Sequence, residues 1–434
     1  MFQSRGVKLV GALIGSLAFM LTACAKKANT GTGSTPSSTK PTYTIAYQGP
    51  LSGGNQQLGI YMDNAVKLAV NQANAGTSGF GTLPFTLKFE DEDDQGSADV
   101  APTAATKLID DHNVVAVIGP AFSGATQASE PDFQQAGLAS ISPSATLATL
   151  TTHGWTNFFR VVANDNIQAS ADASYMAKVV KPTSVYVVND ASAYGQPLAA
   201  TFASDAQGDG LKVVTNNTAP GTTQCQAGSG SSTEYPALAS EVVSSKAGAL
   251  FYGGYYCDLA LFVKALNSAG YKGTIMTDDG AENSQLITQA GQAVAQGILA
   301  SCACATTLAS TQGQAFDTAY SQAYPGQQPG TYAAESYDAT NAVISVMKGM
   351  TGTITRAGIV HAIASVDYPG ITKQIKFTTT GDIAGQAVYI YKVEGANLTQ
   401  LGLVSSLVPG GSTGSSPGAP TSTASASPTA MATP

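Results

Sequence analysis

Residues 114–127 read VVAVIGPAFSGATQ. The opening VVAVI is apolar without alternation, which suits a strand buried on both faces of a sheet. Gly119-Pro120 ends that run, and Ser123-Gly124 opens a helix. Strand, tight turn and helix start therefore follow one another directly. Backbone N–H groups and a hydroxyl converge at such a junction, at the positive end of a helix, and make a seat for a carboxylate. Ser123 is also a good capping residue, and one side chain can do both.

The same rhythm extends both ways along the chain. Upstream, residues 43–47 read as a strand. Residues 56–74 read as a helix with Leu58, Met62, Ala65, Val66, Ala69 and Val70 near one face. A strand at 85–90 and a helix at 99–111 follow. Downstream, strands at 184–188 and 249–252 lead into helices at 193–208 and 258–270, with further strands at 274–277, 298–303 and 387–393. This alternation implies right-handed crossovers, hence an α/β fold of mostly parallel sheets flanked by helices. Roughly 360 residues of such sequence are too many for one typical core and call for two lobes. Ligands in open sheets of this kind sit at the carboxyl ends of the strands. Residues 141–146, ISPSAT, end the neighbouring strand and bring Thr146 as a second hydroxyl and amide.

Both ends of the chain read differently. Arg5 and Lys8 precede an apolar run from 9 to 21, which is too short to span a bilayer comfortably and fits a secretory leader. It ends in Leu21-Thr22-Ala23-Cys24, which resembles a bacterial lipobox with Cys24 as the lipidated first mature residue. Removal of residues 1–23 takes Arg5 and Lys8 with it and moves the net charge from −8 to −10. An acidic chain without a basic run is a poor partner for nucleic acid, and the lipid rather than charge would hold it at the membrane. Residues 24–41 read as a flexible tether, and 405–434, rich in Gly, Ser, Thr and Pro, as a disordered tail. Cys225, Cys257, Cys302 and Cys304 suit disulfides in an extracellular setting. Cys302 and Cys304 alternate on one strand, so each is expected to pair with Cys225 or Cys257 instead. His112, His153 and His361 stand at no zinc spacing from these cysteines, and the sequence calls for no metal and no cofactor.

Two motifs invite other readings. Leu51-Ser52-Gly53-Gly54 looks like the signature of transporter ATPases, but no phosphate loop accompanies it, and it reads as a Gly-rich turn. Residues 91–94, DEDD, lack the spacing and closing Glu of a calcium loop and read as a solvated turn ahead of a helix. No GxSxG nucleophile motif occurs, so the chain does not read as an enzyme.

The segments AYQGPLSGG, VVAVIGPAFSGATQ, ISPSATLATLT, Tyr194-Gly195 and YGGYY at 252–256, in this order, resemble the periplasmic type I solute-binding proteins of the leucine/isoleucine/valine-binding family. The resemblance implies three crossover strands between two lobes, with 42–162 plus 306–378 in the first and 163–305 plus 379–404 in the second. It implies that Ser123 and Thr146 hold a ligand carboxylate. The carbonyl near Ser144 helps the ammonium, Tyr194 and Tyr255 close from the second lobe, and Asp279 pairs with the ammonium. The family carries Glu where this chain has Asp279 and a large aromatic where it has Leu58, which implies a bulkier or differently shaped substrate. A monomeric, lipid-anchored binding protein delivering an amino acid to a membrane permease is the expected function. An amide, urea-type or aromatic-acid binder and a ligand-sensing lipoprotein are the alternatives.

Overall fold

The computed structural model describes residues 40–218, 225, 234–304 and 310–409. The leader, Cys24 and nearly all of the tether and tail lie outside the described residues. Five strands open the chain: β1 (Thr42–Gly49), β2 (Thr86–Asp93), β3 (Val114–Ile118), β4 (Ala139–Ser142) and β5 (Phe158–Arg160). They form one all-parallel sheet in the order β2-β1-β3-β4-β5. Every residue of β3 is buried, as its unbroken apolar run requires. The helices between these strands are α1 (Gln56–Ala75), α2 (Ala101–Asp110) and α3 (Ser123–Ala136).

The second sheet begins after α4 (Asp165–Tyr175). Its parallel strands are β6 (Val185–Asn189), β7 (Val213–Thr218), β8 (Ala249–Gly253), β9 (Thr274–Thr277) and β10 (Leu299–Cys302). Helices α5 (Gly195–Gly208), α6 (Glu234–Ser245), α7 (Tyr256–Ser268), α8 (Ser284–Ala290) and α9 (Gln292–Ala295) connect them. The chain then returns to the first lobe as α10 (Thr311–Ala323), α11 (Ala333–Gly349) and α12 (Arg356–Ile363), where Phe316, Tyr320 and Ala333 pack on Ala65 and Leu68 of α1. A short hairpin, β11 (Tyr368–Pro369) with β12 (Gln374–Ile375), precedes β13 (Tyr389–Glu394) and β14 (Asn397–Leu403), which extend the second sheet antiparallel at the β10 edge.

The chain thus passes between the sheets three times. Arg160, at the end of β5, is fully buried and pairs with Asp382 at 2.7 Å, so the first and third passages are riveted together.

Four expectations need correction. Cys302 and Cys304 are bonded to each other, and Cys225 to Cys257. Two residues of regular strand span roughly 6.6 Å, near the limit for a disulfide. β10 ends at Cys302, the chain bends at Ala303, and the two Cα atoms come to 5.0 Å. The DEDD stretch is not a loose turn: Asp91–Asp93 complete the β1–β2 ladder, and Asp94 is buried. Lys67 pairs with Asp91, and Lys107 with Glu92. The tail expected from 405 starts later, because α13 (Val404–Leu407) buries Val404 and Val408 on one face. Finally, Ser123 does not cap α3: the cap position is Phe122, and no side chain bonds there.

Candidate ligand-binding site

The loops after β3 and β4 are tied together by hydroxyls. Ser142 Oγ donates to the Pro120 carbonyl at 2.7 Å, and Ser144 Oγ to the Ala121 carbonyl at 2.7 Å. Ser123 Oγ accepts the Leu147 N–H at 3.2 Å, which leaves its own proton free to donate. Arg160 holds the far side of the second loop by donating to the carbonyls of Leu147 (2.7 Å) and Ala145 (3.3 Å). Between these clamps the Thr146 hydroxyl is wholly buried, with the Asp165 carboxyl beside it. A buried polar group is costly unless it is paired, so the Thr146 hydroxyl depends on that carboxyl or on another acceptor in the cavity.

The opposing wall comes from the second sheet. Tyr194 ends the loop after β6, Tyr255 ends the loop after β8, and Asp279 follows β9. Gly254 makes the β8 loop possible. Its φ is +150°, and a Cβ there would run into the Asp190 carboxylate, which accepts the Tyr255 N–H at 3.2 Å. The ring of Tyr255 stacks on Phe122 of the first lobe with centroids 4.3 Å apart and leans on Tyr194 at 5.2 Å.

Asp279 lies between two tyrosines. It accepts from Tyr194 Oη at 2.6 Å and from Tyr332 Oη, in the first lobe, at 2.8 Å. Burial raises the Asp279 carboxyl above the usual range, while the two phenols pull it back. Asp165, the first residue of α4, is buried beside the Thr146 hydroxyl. Burial first, and then the charge of Asp279, push its carboxyl up to about 8, although the Thr146 hydroxyl and Arg160 act the other way. Asp278 is also raised by burial and by Asp279. Arg160 is itself committed to Asp382. The cleft therefore combines hydroxyl donors on one side with buried carboxyls that lack a cation on the other.

Leu58, Ser123, Ser144, Thr146, Tyr194, Tyr255 and Asp279, all singled out in the sequence, line a single cavity. Met62, Phe122 and Tyr332 complete it and were not foreseen, nor was Asp165 beside it. The cavity offers only about 20 Å³ to the centre of a water molecule, enough for one or two waters. Around it the lobes bond directly. Asn55 Oδ1 accepts the Cys257 N–H (3.3 Å), Tyr256 Oη accepts the Gln57 N–H (3.3 Å), Tyr61 Oη meets Ser284 Oγ (3.2 Å), and Thr331 Oγ1 donates to Glu282 Oε2 (3.0 Å). Gly54 of the LSGG turn sits where a Cβ would strike the Cys225 carbonyl, so the turn packs directly on the Cys225–Cys257 disulfide.

Comparison with known proteins agrees with this fold. A family model described as periplasmic binding protein matches residues 42–397. The Leu/Ile/Val-binding protein BraC3 of Rhizobium johnstonii is 26% identical over 361 residues, 82% of this chain and 92% of that protein. The Leu/Ile/Val-binding protein of Escherichia coli is 28% identical over 257 residues, 59% of this chain and 66% of that one, just under two thirds of its length. Among solved structures, the branched-chain amino acid transporter substrate binding protein LivJ of Streptococcus pneumoniae, in complex with isoleucine, superposes with a TM-score of 0.73 at 25% identity, covering 83% of this chain and 99% of that one. A solute binding protein from R. palustris in complex with benzoate shares the fold, with a TM-score of 0.71 at 20% identity over 84% of this chain and 96% of that one.

Proposed function

The chain belongs to the periplasmic binding protein family, and from that membership we propose that it is the extracytoplasmic solute-binding component of an ABC importer, holding one free amino acid between its lobes without transforming it. The observation that carries this reading is that two hydroxyls, Ser123 and Thr146, line the same cavity as a buried carboxyl, Asp279, with a second buried carboxyl, Asp165, next to Thr146 and no ion pair to either carboxyl among the described residues. A zwitterion satisfies both sides at once. Its carboxylate takes the Ser123 and Thr146 hydroxyls, and its ammonium takes Asp279 and Asp165. Leu58, Met62, Phe122 and Tyr255 offer the side chain an apolar wall. The protein acts as a monomer, anchored by lipid on Cys24, and hands the ligand to a membrane permease. Among the described residues no helix is long and apolar enough to cross a membrane.

An aromatic acid is the second reading, favoured by the stacked pair Phe122–Tyr255. It brings no ammonium and would leave Asp279 and Asp165 facing one another unrelieved.

Calorimetry with a panel of amino acids, their amides and benzoate tests the assignment. Ser123→Ala weakens amino-acid binding by about tenfold or more, since a hydrogen bond to a charged group contributes about 1.5–3 kcal/mol. Asp279→Asn weakens a zwitterionic amino acid far more than a ligand without an ammonium. Parent-like affinity of both variants for amino acids would overturn the reading. Benzoate binding more tightly than every amino acid would select the second.

A further inference from the structure

The two disulfides differ in what they can do for stability. A bridge constrains the unfolded chain according to the length of loop it closes. Cys225–Cys257 closes 32 residues, and Cys302–Cys304 closes two. The second therefore contributes little as a staple, yet it is set in place with care. Tyr391 Oη donates to the Cys304 carbonyl at 3.1 Å, the Cys304 N–H points at Cys302 Sγ at 3.1 Å, and both cysteines are buried. Glu282 stands beside them, 8% exposed, with Cys304 Sγ 3.9 Å from its Oε2. One donor atom from each of Glu282, Cys302 and Cys304 falls within 4.8 Å of the other two.

We propose that the reduced form of this pair, together with Glu282, is a binding site for a thiophilic divalent metal ion such as Zn²⁺. Zinc takes thiolate sulfur at about 2.3 Å and carboxylate oxygen at about 2.1 Å in a tetrahedron, which places those two ligands about 3.6 Å apart. The Cys304–Glu282 separation is already close to that value. Cys304 and Glu282 both line a cavity of about 300 Å³ whose wall also carries Thr331, so a metal ion can reach them from that cavity. The histidines play no part, and the third ligand comes from the end of the loop after β9, twenty residues before Cys302.

The chemistry balances with one external reductant. A dithiol gives up two electrons and two protons and closes to its own disulfide, while the Cys302–Cys304 bond opens to two thiols. The metal then displaces both thiol protons, and the proton of the Glu282 carboxyl where it holds one, to solvent, so that Glu282 binds as the carboxylate. Thr331 of the other lobe lies against both the Glu282 carbonyl and Oε2, so a metal on Oε2 leaves that lobe contact the carbonyl.

The test is zinc titration of the full mature protein in its oxidised and its fully reduced, refolded forms, read by native mass spectrometry and calorimetry. One zinc ion binds the reduced chain, and none binds the oxidised chain. Cadmium in its place gives the near-ultraviolet sulfur-to-metal charge-transfer band. Glu282→Gln weakens zinc at least tenfold, and the double variant Cys302→Ser, Cys304→Ser abolishes it. Reduction also opens Cys225–Cys257, so a zinc ion retained by the double variant would sit on that pair and overturn the proposal. Equal binding by oxidised and reduced chains, no binding by either, or an unchanged affinity in Glu282→Gln would overturn it as well, the last even if the double variant fails to fold.

Discussion

Asp165 shows most plainly how the site differs from what its sequence advertises. In residues 163–168, ANDNIQ, the Asn-Asp pair reads as the start of a helix and nothing more. Asn164 takes the capping role, accepting the N–H groups of Asn166 and Ile167, and this leaves the carboxylate of Asp165 facing Thr146 and Asp279. A folded-state value raised to about 8 means that Asp165 keeps a proton at neutral pH that the unfolded chain has released. Its contribution to stability is therefore undiminished below the usual carboxylate range and is lost progressively as pH climbs toward 8. Asp279, Asp278 and Asp172 face the same region and are raised in the same direction, while the Thr146 hydroxyl and Arg160 oppose the rise at Asp165. A ligand ammonium reverses the preference, so binding at pH 7 expels a proton. Calorimetry in two buffers of different ionisation enthalpy should register that release in the parent and find most of it missing in Asp165→Asn; equal release from both would remove Asp165 from the site. Tyr332 escaped notice for another reason. It sits just before α11 with φ of +64°, a conformation nothing in the stretch GTYAAES announces.

At the scale of elements, the hydrophobic period read well and the covalent detail did not. Continuous apolar runs such as VVAVI and the one-sided stripe of α1 are strong local signals, and the strands and helices around them fall where those signals lie. The pairing of Cys302 with Cys304 depends on the chain leaving its strand one residue early, which no periodicity encodes. The placement of Tyr255 depends on Gly254, where only a missing Cβ lets the loop after β8 pass Asp190. Gly254→Ala should cost about 1–3 kcal/mol, from overpacking and an unfavourable φ, and should weaken ligand binding because Tyr255 moves with it. Thermal melts and calorimetry on the one variant check both; a stable variant with parent affinity would show that the loop tolerates the methyl group.

At the scale of the molecule, the two lobes are held in register by a buried ion pair as well as by chain connectivity. Arg160 joins the first and third passages through Asp382 and reaches on to the loop that carries Thr146. Asp382→Asn leaves a buried guanidinium short of its counter-charge, which costs about 3 kcal/mol. Its melting temperature should fall and its ligand affinity should weaken together; a fall in stability with untouched affinity would separate the rivet from the site. The hydrogen bonds across the cleft, from Asn55, Gln57, Tyr61, Thr331 and Tyr332, bear on time rather than on affinity. They join one lobe directly to the other around the cavity, so a solute can enter or leave it only when they part. Observed association rates then level off at high solute concentration, at the frequency with which the lobes part by themselves. The same barrier slows departure, and a captured solute is held until the lobes part again.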